Sequence, residues 1–125
     1  LWWTRAKPGD KLELAVPVDE AGKYRVSVTL TKARDYGIVQ LSIDGKKIGN
    51  PIDLYNPSVI RTEAIPLGTV NLTKGEHVLG VEILGKNAKA VPSFMFGLDE
   101  VVLEKGFREK IAEFYKAFRQ KRNVR

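Results

Sequence analysis

The sequence predicts an all-β protein, an antiparallel β-sandwich followed by one C-terminal amphipathic α-helix. Several segments between Lys11 and Glu104 alternate apolar and polar residues with the period of a strand that has one face in a core. Glycine, proline, asparagine and aspartate fall between nearly all of these segments, a spacing typical of a sandwich. After Gly106 the apolar residues recur at helical spacing instead.

Two hairpins are predicted in the first half of the sandwich. Residues 12–18 and 24–30 both alternate, and residues 19–22 have turn composition, so we expect these two strands to pair with each other. Residues 39–43 alternate in the same way and run into Asp44-Gly45. An Asp-Gly pair is a strong hairpin signal because glycine accepts the positive φ of a tight turn.

The second half of the sandwich is less regular. We expect short strands at about residues 61–65 and 70–72, because Pro66 and Gly68 interrupt any longer strand. Residues 79–83 alternate again, and a strand that contains Val101 and Leu103 closes the sandwich.

The composition favours one domain, residues 1–104, and a separate C-terminal segment, residues 105–125. The net charge is +6, yet residues 1–104 hold 13 basic and 13 acidic residues, so the excess lies in the last segment. A neutral body with a basic tail argues against a nucleic-acid partner. Cysteine is absent, and no apolar run has the roughly 18 residues of a membrane span.

The predicted helix has one apolar stripe and an opposite face rich in charge. It can cover an edge or face of the sandwich, dock a neighbouring domain or subunit, or lie on a membrane surface. The basic residues near its C-terminus also complement the helix dipole. The stripe consists of Phe107, Ile111, Phe114, Tyr115 and Phe118.

The sequence offers little for catalysis. His77 is the single histidine, which excludes a histidine-rich metal site, and its place at a strand entrance favours a partly exposed structural role. No nucleophile motif or glycine-rich phosphate loop is present. Asp35 and Asp53 border the same hairpin, so a paired-carboxylate glycosidase is the surviving catalytic alternative.

The loops that flank the central hairpin are the predicted binding site. They carry exposed polar and aromatic residues that the strands do not require, and loops of this kind commonly hold binding residues. Aromatic rings stack on the apolar faces of sugars, while carboxylate, amide and ammonium groups bind hydroxyls. The candidate ligand contacts on these loops are Asp35, Tyr36, Asp53, Tyr55 and Asn56, and Lys86 and Asn87 on another loop are expected to join them.

Other aromatic residues are expected to divide between core and surface. Phe94 and Phe96 are expected to plug the end of the sandwich rather than bind a ligand. Trp2 and Trp3 are adjacent in an extended segment and therefore point to opposite faces, so at most one of them is expected to contact a ligand.

Three segments form a recognisable combination: Gly9-Asp10-Lys11-Leu12 before a strand, the Gly22-Lys23-Tyr24 turn, and a final strand from Asp99 to Leu103. Together they resemble galactose-binding-like carbohydrate-binding modules of the β-jelly-roll type, similar to families 6 and 35. Residues 2–104 also resemble accessory domains of bacterial glycan-active proteins, including some with a family 172 type catalytic domain. The resemblance implies non-catalytic binding of a polysaccharide or oligosaccharide, in an extracellular or periplasmic protein.

Many such modules hold a structural calcium on an additional N-terminal strand. This chain starts after the position of that strand, which argues against calcium, so no cofactor is expected.

Three functions remain open from the sequence. The first is a carbohydrate-binding accessory module, the second is a structural module that docks a catalytic domain or another subunit, and the third is a small glycosidase that uses Asp35 and Asp53.

Overall fold

A computed structural model describes residues 1–105, which form ten strands in two antiparallel five-stranded sheets. One sheet has the order β1-β10-β3-β7, with β8 also paired to β3, and the other has the order β2-β9-β4-β5, with β6 also paired to β4. This arrangement confirms the all-β class with two antiparallel sheets, while the predicted C-terminal helix falls outside the described residues. The strands are β1 (Trp2–Trp3), β2 (Lys11–Val18), β3 (Gly22–Lys32), β4 (Ile38–Ile43), β5 (Lys46–Lys47), β6 (Ile52–Asp53), β7 (Ile60–Arg61), β8 (Ile65–Leu72), β9 (Gly75–Gly85) and β10 (Phe96–Lys105).

The core lies between the two sheets and is built from alternate residues of the long strands. Every second residue is buried from Tyr24 to Leu30 in β3 and from His77 to Ile83 in β9, as the period-2 pattern predicts. Burial of these side chains removes apolar surface from water and provides the main stabilising free energy. The largest fully buried side chains include Tyr24, Leu30, Leu41, Leu54, Leu79, Ile83, Phe96 and Leu103.

The predicted Asp-Gly hairpin is confirmed. Asp44 and Gly45 adopt φ values of 50° and 82°, and β4 pairs with β5 directly across this turn. Positive φ at both central positions is the geometry that matches the right-handed twist of the flanking strands.

The predicted hairpin between β2 and β3 is wrong. β2 pairs with β9 in one sheet, whereas β3 pairs with β10 and β8 in the other sheet. Residues 19–21 therefore pass from one sheet to the other. Strands in facing sheets bury alternate residues just as paired strands do, so the sequence pattern alone does not separate the two arrangements.

The predicted break at Pro66 and Gly68 is also wrong, because β8 runs without interruption from Ile65 to Leu72. Among residues 1–105, β8 pairs only with β3 and is an edge strand. The register shifts between Val26 and Ser27 of β3, opposite Gly68 and Pro66. A proline without an N–H donor and a glycine with positive φ are both tolerated at such an edge bulge.

His77 is more buried than the sequence suggests, with 9% of its surface exposed. Its Nδ1 lies 2.5 Å from Oδ2 of Asp44, and its Nε2 lies 2.7 Å from the Thr73 carbonyl oxygen. The hydrogen bond to Asp44 raises the pKa of His77 above 6.5, although burial opposes this shift. Burial raises the pKa of Asp44, but the hydrogen bonds from His77 and the Val78 N–H outweigh it and lower that pKa below 3.8.

Candidate functional site

One end of the sandwich collects every residue that the sequence predicts as a ligand contact. β3 ends there at Lys32, β4 begins there at Ile38, β9 ends there at Gly85 and β10 begins there at Phe96. We call this the loop end and define it as residues 1–10, 32–38, 53–59 and 84–96.

Six backbone hydrogen bonds join three segments of the loop end. Residues 33–37 lie in the middle and bond to residues 53–56 on one side and to residues 91–95 on the other. The bonds on the first side are Ala33 N–H to Leu54 O (3.0 Å), Asn56 N–H to Ala33 O (3.2 Å) and Leu54 N–H to Gly37 O (3.1 Å). Those on the second side are Gly37 N–H to Met95 O (3.0 Å), Met95 N–H to Asp35 O (3.1 Å) and Val91 N–H to Arg34 O (2.8 Å).

A side-chain cluster fixes the outer loops to each other. Nδ2 of Asn87 donates to Oδ2 of Asp53 over 2.7 Å, and the other oxygen of Asp53 accepts the N–H of Tyr55 over 3.0 Å. Oδ1 of Asn87 accepts the N–H of Lys89 over 2.9 Å. The structure thus brings three predicted contacts, Asp53, Tyr55 and Asn87, into direct hydrogen-bonded association.

Two further predicted contacts also bond within their own loops. Nδ2 of Asn56 donates to the Ser58 carbonyl oxygen over 2.6 Å, and Nζ of Lys86 donates to the Asn87 carbonyl oxygen over 3.4 Å. Both side chains are partly exposed, as is that of Asp35. Nδ2 of Asn56 also donates to Oγ of Ser58 over 3.3 Å, so both amide hydrogens of Asn56 are used and its Oδ1 is the atom that can accept from a ligand. The ammonium of Lys86 has three hydrogens and keeps donors for a ligand.

Tyr36 differs from the other predicted contacts because it is buried, with 8% of its surface exposed. Its ring lies over Gly97, where a Cβ atom would come within 3.3 Å of Cε2 of the ring. Burial and the charge of Asp35 raise the pKa of the Tyr36 hydroxyl, while a hydrogen bond from the Trp2 side chain partly offsets this increase. The structure therefore gives Tyr36 a supporting position beneath the surface.

Trp2 is the residue that the predicted contact set leaves out. As the alternation of an extended segment predicts, Trp3 packs against the core and Trp2 is exposed over 66% of its surface. β1 holds Trp2 beside Gly97, and the Trp2 side chain lies close to the hydroxyl of Tyr36. The paired tryptophans signal that one ring is exposed, but only the pairing of β1 with β10 identifies which one.

Phe94 and Phe96 differ in burial. Phe96 is fully buried, as predicted, whereas Phe94 is partly buried and has a left-handed φ of 50°. Phe94 lines a groove between residues 4–7 and 92–95 that has a volume of about 530 Å³.

The loop end is positively charged although residues 1–104 are neutral as a whole. It holds six basic residues and three acidic ones. No ion pair between described residues involves any of the six basic residues. The six are Arg5, Lys7, Lys32, Arg34, Lys86 and Lys89, and the three acidic residues are Asp10, Asp35 and Asp53.

Residues 1–105 contain no group of three or more histidine, aspartate or glutamate side chains placed to hold a metal ion. No helix in the same part of the chain is long and apolar enough to cross a membrane.

The solved structures with a similar fold include a polysaccharide lyase and a sugar-binding protein. A xanthan lyase from Paenibacillus matches with a TM-score of 0.74 and 24% identity, over 84% of this chain and 10% of the lyase. The C-terminal domain of EclA, a sugar-binding protein, matches with a TM-score of 0.51 and 19% identity, over 83% of this chain and 76% of that domain. This chain therefore spans about a tenth of the lyase. At these identities the similarity shows the fold alone.

The sequence matches no protein-family model and no curated protein.

Proposed function

We propose that this chain is a non-catalytic carbohydrate-binding module that uses the loop end to hold a polysaccharide or oligosaccharide. One observation carries the proposal: three loops are hydrogen-bonded into a single platform that presents an aromatic ring beside carboxylate and amide groups. A platform that is ordered before binding loses little conformational entropy when a ligand arrives.

The aromatic groups supply two stacking surfaces. Trp2 exposes most of its ring, and Tyr55 is partly exposed beside the Asp53–Asn87 pair. Sugar C–H faces pack on such rings, while Asp53 and Asn87 accept and donate hydrogen bonds at the hydroxyl edge. The polar surface also includes Asp35, Asn56 and Lys86, and the buried Tyr36 packs beneath it.

The hydrogen bonds of Asp53 favour a binding role over a catalytic one. Both of its carboxylate oxygens accept hydrogen bonds from the protein, which fixes its orientation and suits it to position loops and hydroxyl groups. A glycosidase needs one carboxyl group as a proton donor and a second as nucleophile or base.

The similarity to solved structures supports the proposal of a carbohydrate-binding module. The EclA domain belongs to a sugar-binding protein, and the xanthan lyase carries this fold as a small part of a longer chain. By analogy, this chain increases the local concentration of a larger glycan-active protein on its polysaccharide. Such a protein would work outside the cytoplasm, in the periplasm or the extracellular space.

Binding to a polysaccharide panel tests the proposal. The 125-residue chain is compared by affinity electrophoresis with Trp2→Ala and Tyr55→Ala variants, on neutral and acidic polysaccharides that include xanthan. The wild type is expected to bind at least one polysaccharide, and each variant to bind it at least about fivefold more weakly. A Lys46→Ala and Lys74→Ala double variant, changed far from the loop end, is the control.

Two results would overturn the proposal. One is a folded wild type that binds no polysaccharide in the panel. The other is binding that survives both aromatic substitutions, since that would locate the site away from the loop end.

A further inference from the structure

The groove between residues 4–7 and residues 92–95 combines cations with an aromatic side chain. Its lining includes the basic residues Arg5 and Lys7, the hydroxyls of Thr4 and Ser93, and the partly buried ring of Phe94. The groove continues from the β1–β10 pair, so it begins two residues beyond Trp2.

The backbone on both walls of this groove is strained. Three non-glycine residues among positions 1–105 have a left-handed φ, and one of them, Asp44, belongs to the hairpin turn. The other two are Arg5, with φ of 64°, and Phe94, with φ of 50°, and both line the groove. A left-handed residue with a side chain is strained, and such residues cluster at ligand sites.

The cations of the groove are available to a ligand. Arg5 and Lys7 are exposed, and neither forms an ion pair with any residue in the described part of the chain. The nearby carboxylate of Asp10 accepts the backbone N–H of Lys7 over 2.9 Å. The excess of basic over acidic residues at the loop end adds a positive potential around the groove.

We propose that this groove binds a sugar unit that carries an anionic group, a carboxylate or a sulfate, so that the preferred ligand is an acidic polysaccharide. The inference rests on the proposed function, because it names the class of glycan that the loop end holds. The guanidinium of Arg5 presents parallel N–H donors that match the oxygens of such a group. The ring of Phe94 offers a face for the apolar side of the same sugar.

The test compares acidic polysaccharides with neutral counterparts of the same backbone. Polygalacturonate is paired with its carboxyl-reduced form, and dextran sulfate is paired with dextran. The wild type is expected to bind one acidic member about tenfold more tightly than its neutral partner, with a preference that falls as NaCl rises from 50 to 500 mM. A preference for polygalacturonate over its reduced form would identify a carboxylate as the recognised group, and a preference for dextran sulfate over dextran would identify a sulfate.

Three variants assign that preference to the groove. An Arg5→Gln and Lys7→Gln double variant is expected to lose it, while a Lys46→Gln and Lys74→Gln variant with the same net charge keeps it. An Arg5→Lys and Lys7→Arg variant preserves the charges and is expected to keep most of it, which controls for an effect on folding.

Several outcomes would overturn the inference. Equal affinity for the members of both pairs would exclude recognition of an anionic group and leave the proposed function intact. A preference that survives the Gln substitutions would place recognition elsewhere, and equally tight binding of single-stranded DNA would show a general polyanion site. Absence of binding to every polysaccharide would instead overturn the proposed function itself.

Discussion

The side chains of Asp53 and Asn87 join two loops that are 34 residues apart in sequence, through a hydrogen bond of 2.7 Å between Oδ2 and Nδ2. Asp53 ends β6, and Asn87 follows β9, so the bond connects loops on either side of residues 33–37. The pair fixes how Tyr55 sits relative to the β9–β10 loop.

Substitution of either partner is expected to affect binding more than stability. Asp53→Ala and Asn87→Ala should each reduce the free energy of unfolding by about 1 kcal/mol or less, because the pair is exposed. Each should weaken glycan binding about tenfold, because the loops lose their shared orientation. Urea unfolding and affinity electrophoresis measure the two effects, and a folded variant with wild-type affinity would refute a positioning role.

The His77–Asp44 pair predicts a dependence of stability on pH. The pKa of His77 is raised above 6.5, so its contribution is complete below about pH 6.5 and is lost as the pH rises through the raised value. The pKa of Asp44 is lowered below 3.8, so its contribution is present above that pH and is lost as the pH falls through the lowered value.

The pair is therefore expected to stabilise the fold most between about pH 4 and pH 6.5. Thermal unfolding of the wild type and of His77→Gln across pH 4 to 9 measures how the stabilisation by the pair depends on pH. The difference in melting temperature between the two proteins should shrink above pH 7. A difference that stays constant or grows would contradict the assignment.

A side chain at Gly97 is expected to destabilise the fold because its neighbours would have to move. A Cβ atom there would lie 3.1 Å from Cβ of Thr31 and 3.3 Å from the ring of Tyr36. Gly97→Ala should therefore lower the free energy of unfolding by about 1–3 kcal/mol. Gly85→Ala is the matched control, since a Cβ atom there meets nothing within 4 Å, and a similar loss in both variants would argue against the clash.

Arg5→Gly is expected to stabilise the fold while it weakens binding of acidic glycans. Glycine removes the left-handed strain of about 1–2 kcal/mol but adds about 0.4–1 kcal/mol of unfolded-state entropy. The net gain should be about 0.5–1 kcal/mol by chemical unfolding. Lys7→Gly, at a position without positive φ, should destabilise instead, and loss of stability in Arg5→Gly would show that Arg5 makes compensating contacts.

Local patterns were sufficient to predict the strands with clear alternation and the Asp-Gly turn. They did not determine which strands pair, because β2 and β3 alternate identically whether they share a sheet or face each other. Gln40 is a polar residue in an alternating strand, yet it is buried because its amide donates to the carbonyl oxygens of Leu41 and Gly49.

The candidate site was also only partly predictable from local sequence patterns. The composition of the loops drew attention to residues such as Asp53 and Asn87, which the structure joins. The burial of Tyr36 and the exposure of Trp2 depend on Gly97, on a different strand, and no local pattern reports such a contact.

The most direct measurement is a ¹⁵N chemical-shift titration of the 125-residue chain with oligosaccharides from the polysaccharide that it binds most tightly. If the loop end binds the glycan, the perturbed amides cluster in residues 1–10, 32–38, 53–59 and 84–96, while the Asp44-Gly45 turn at the opposite end is unaffected. Perturbations centred on the outer face of either sheet, or none with any oligosaccharide, would contradict a carbohydrate site at the loop end.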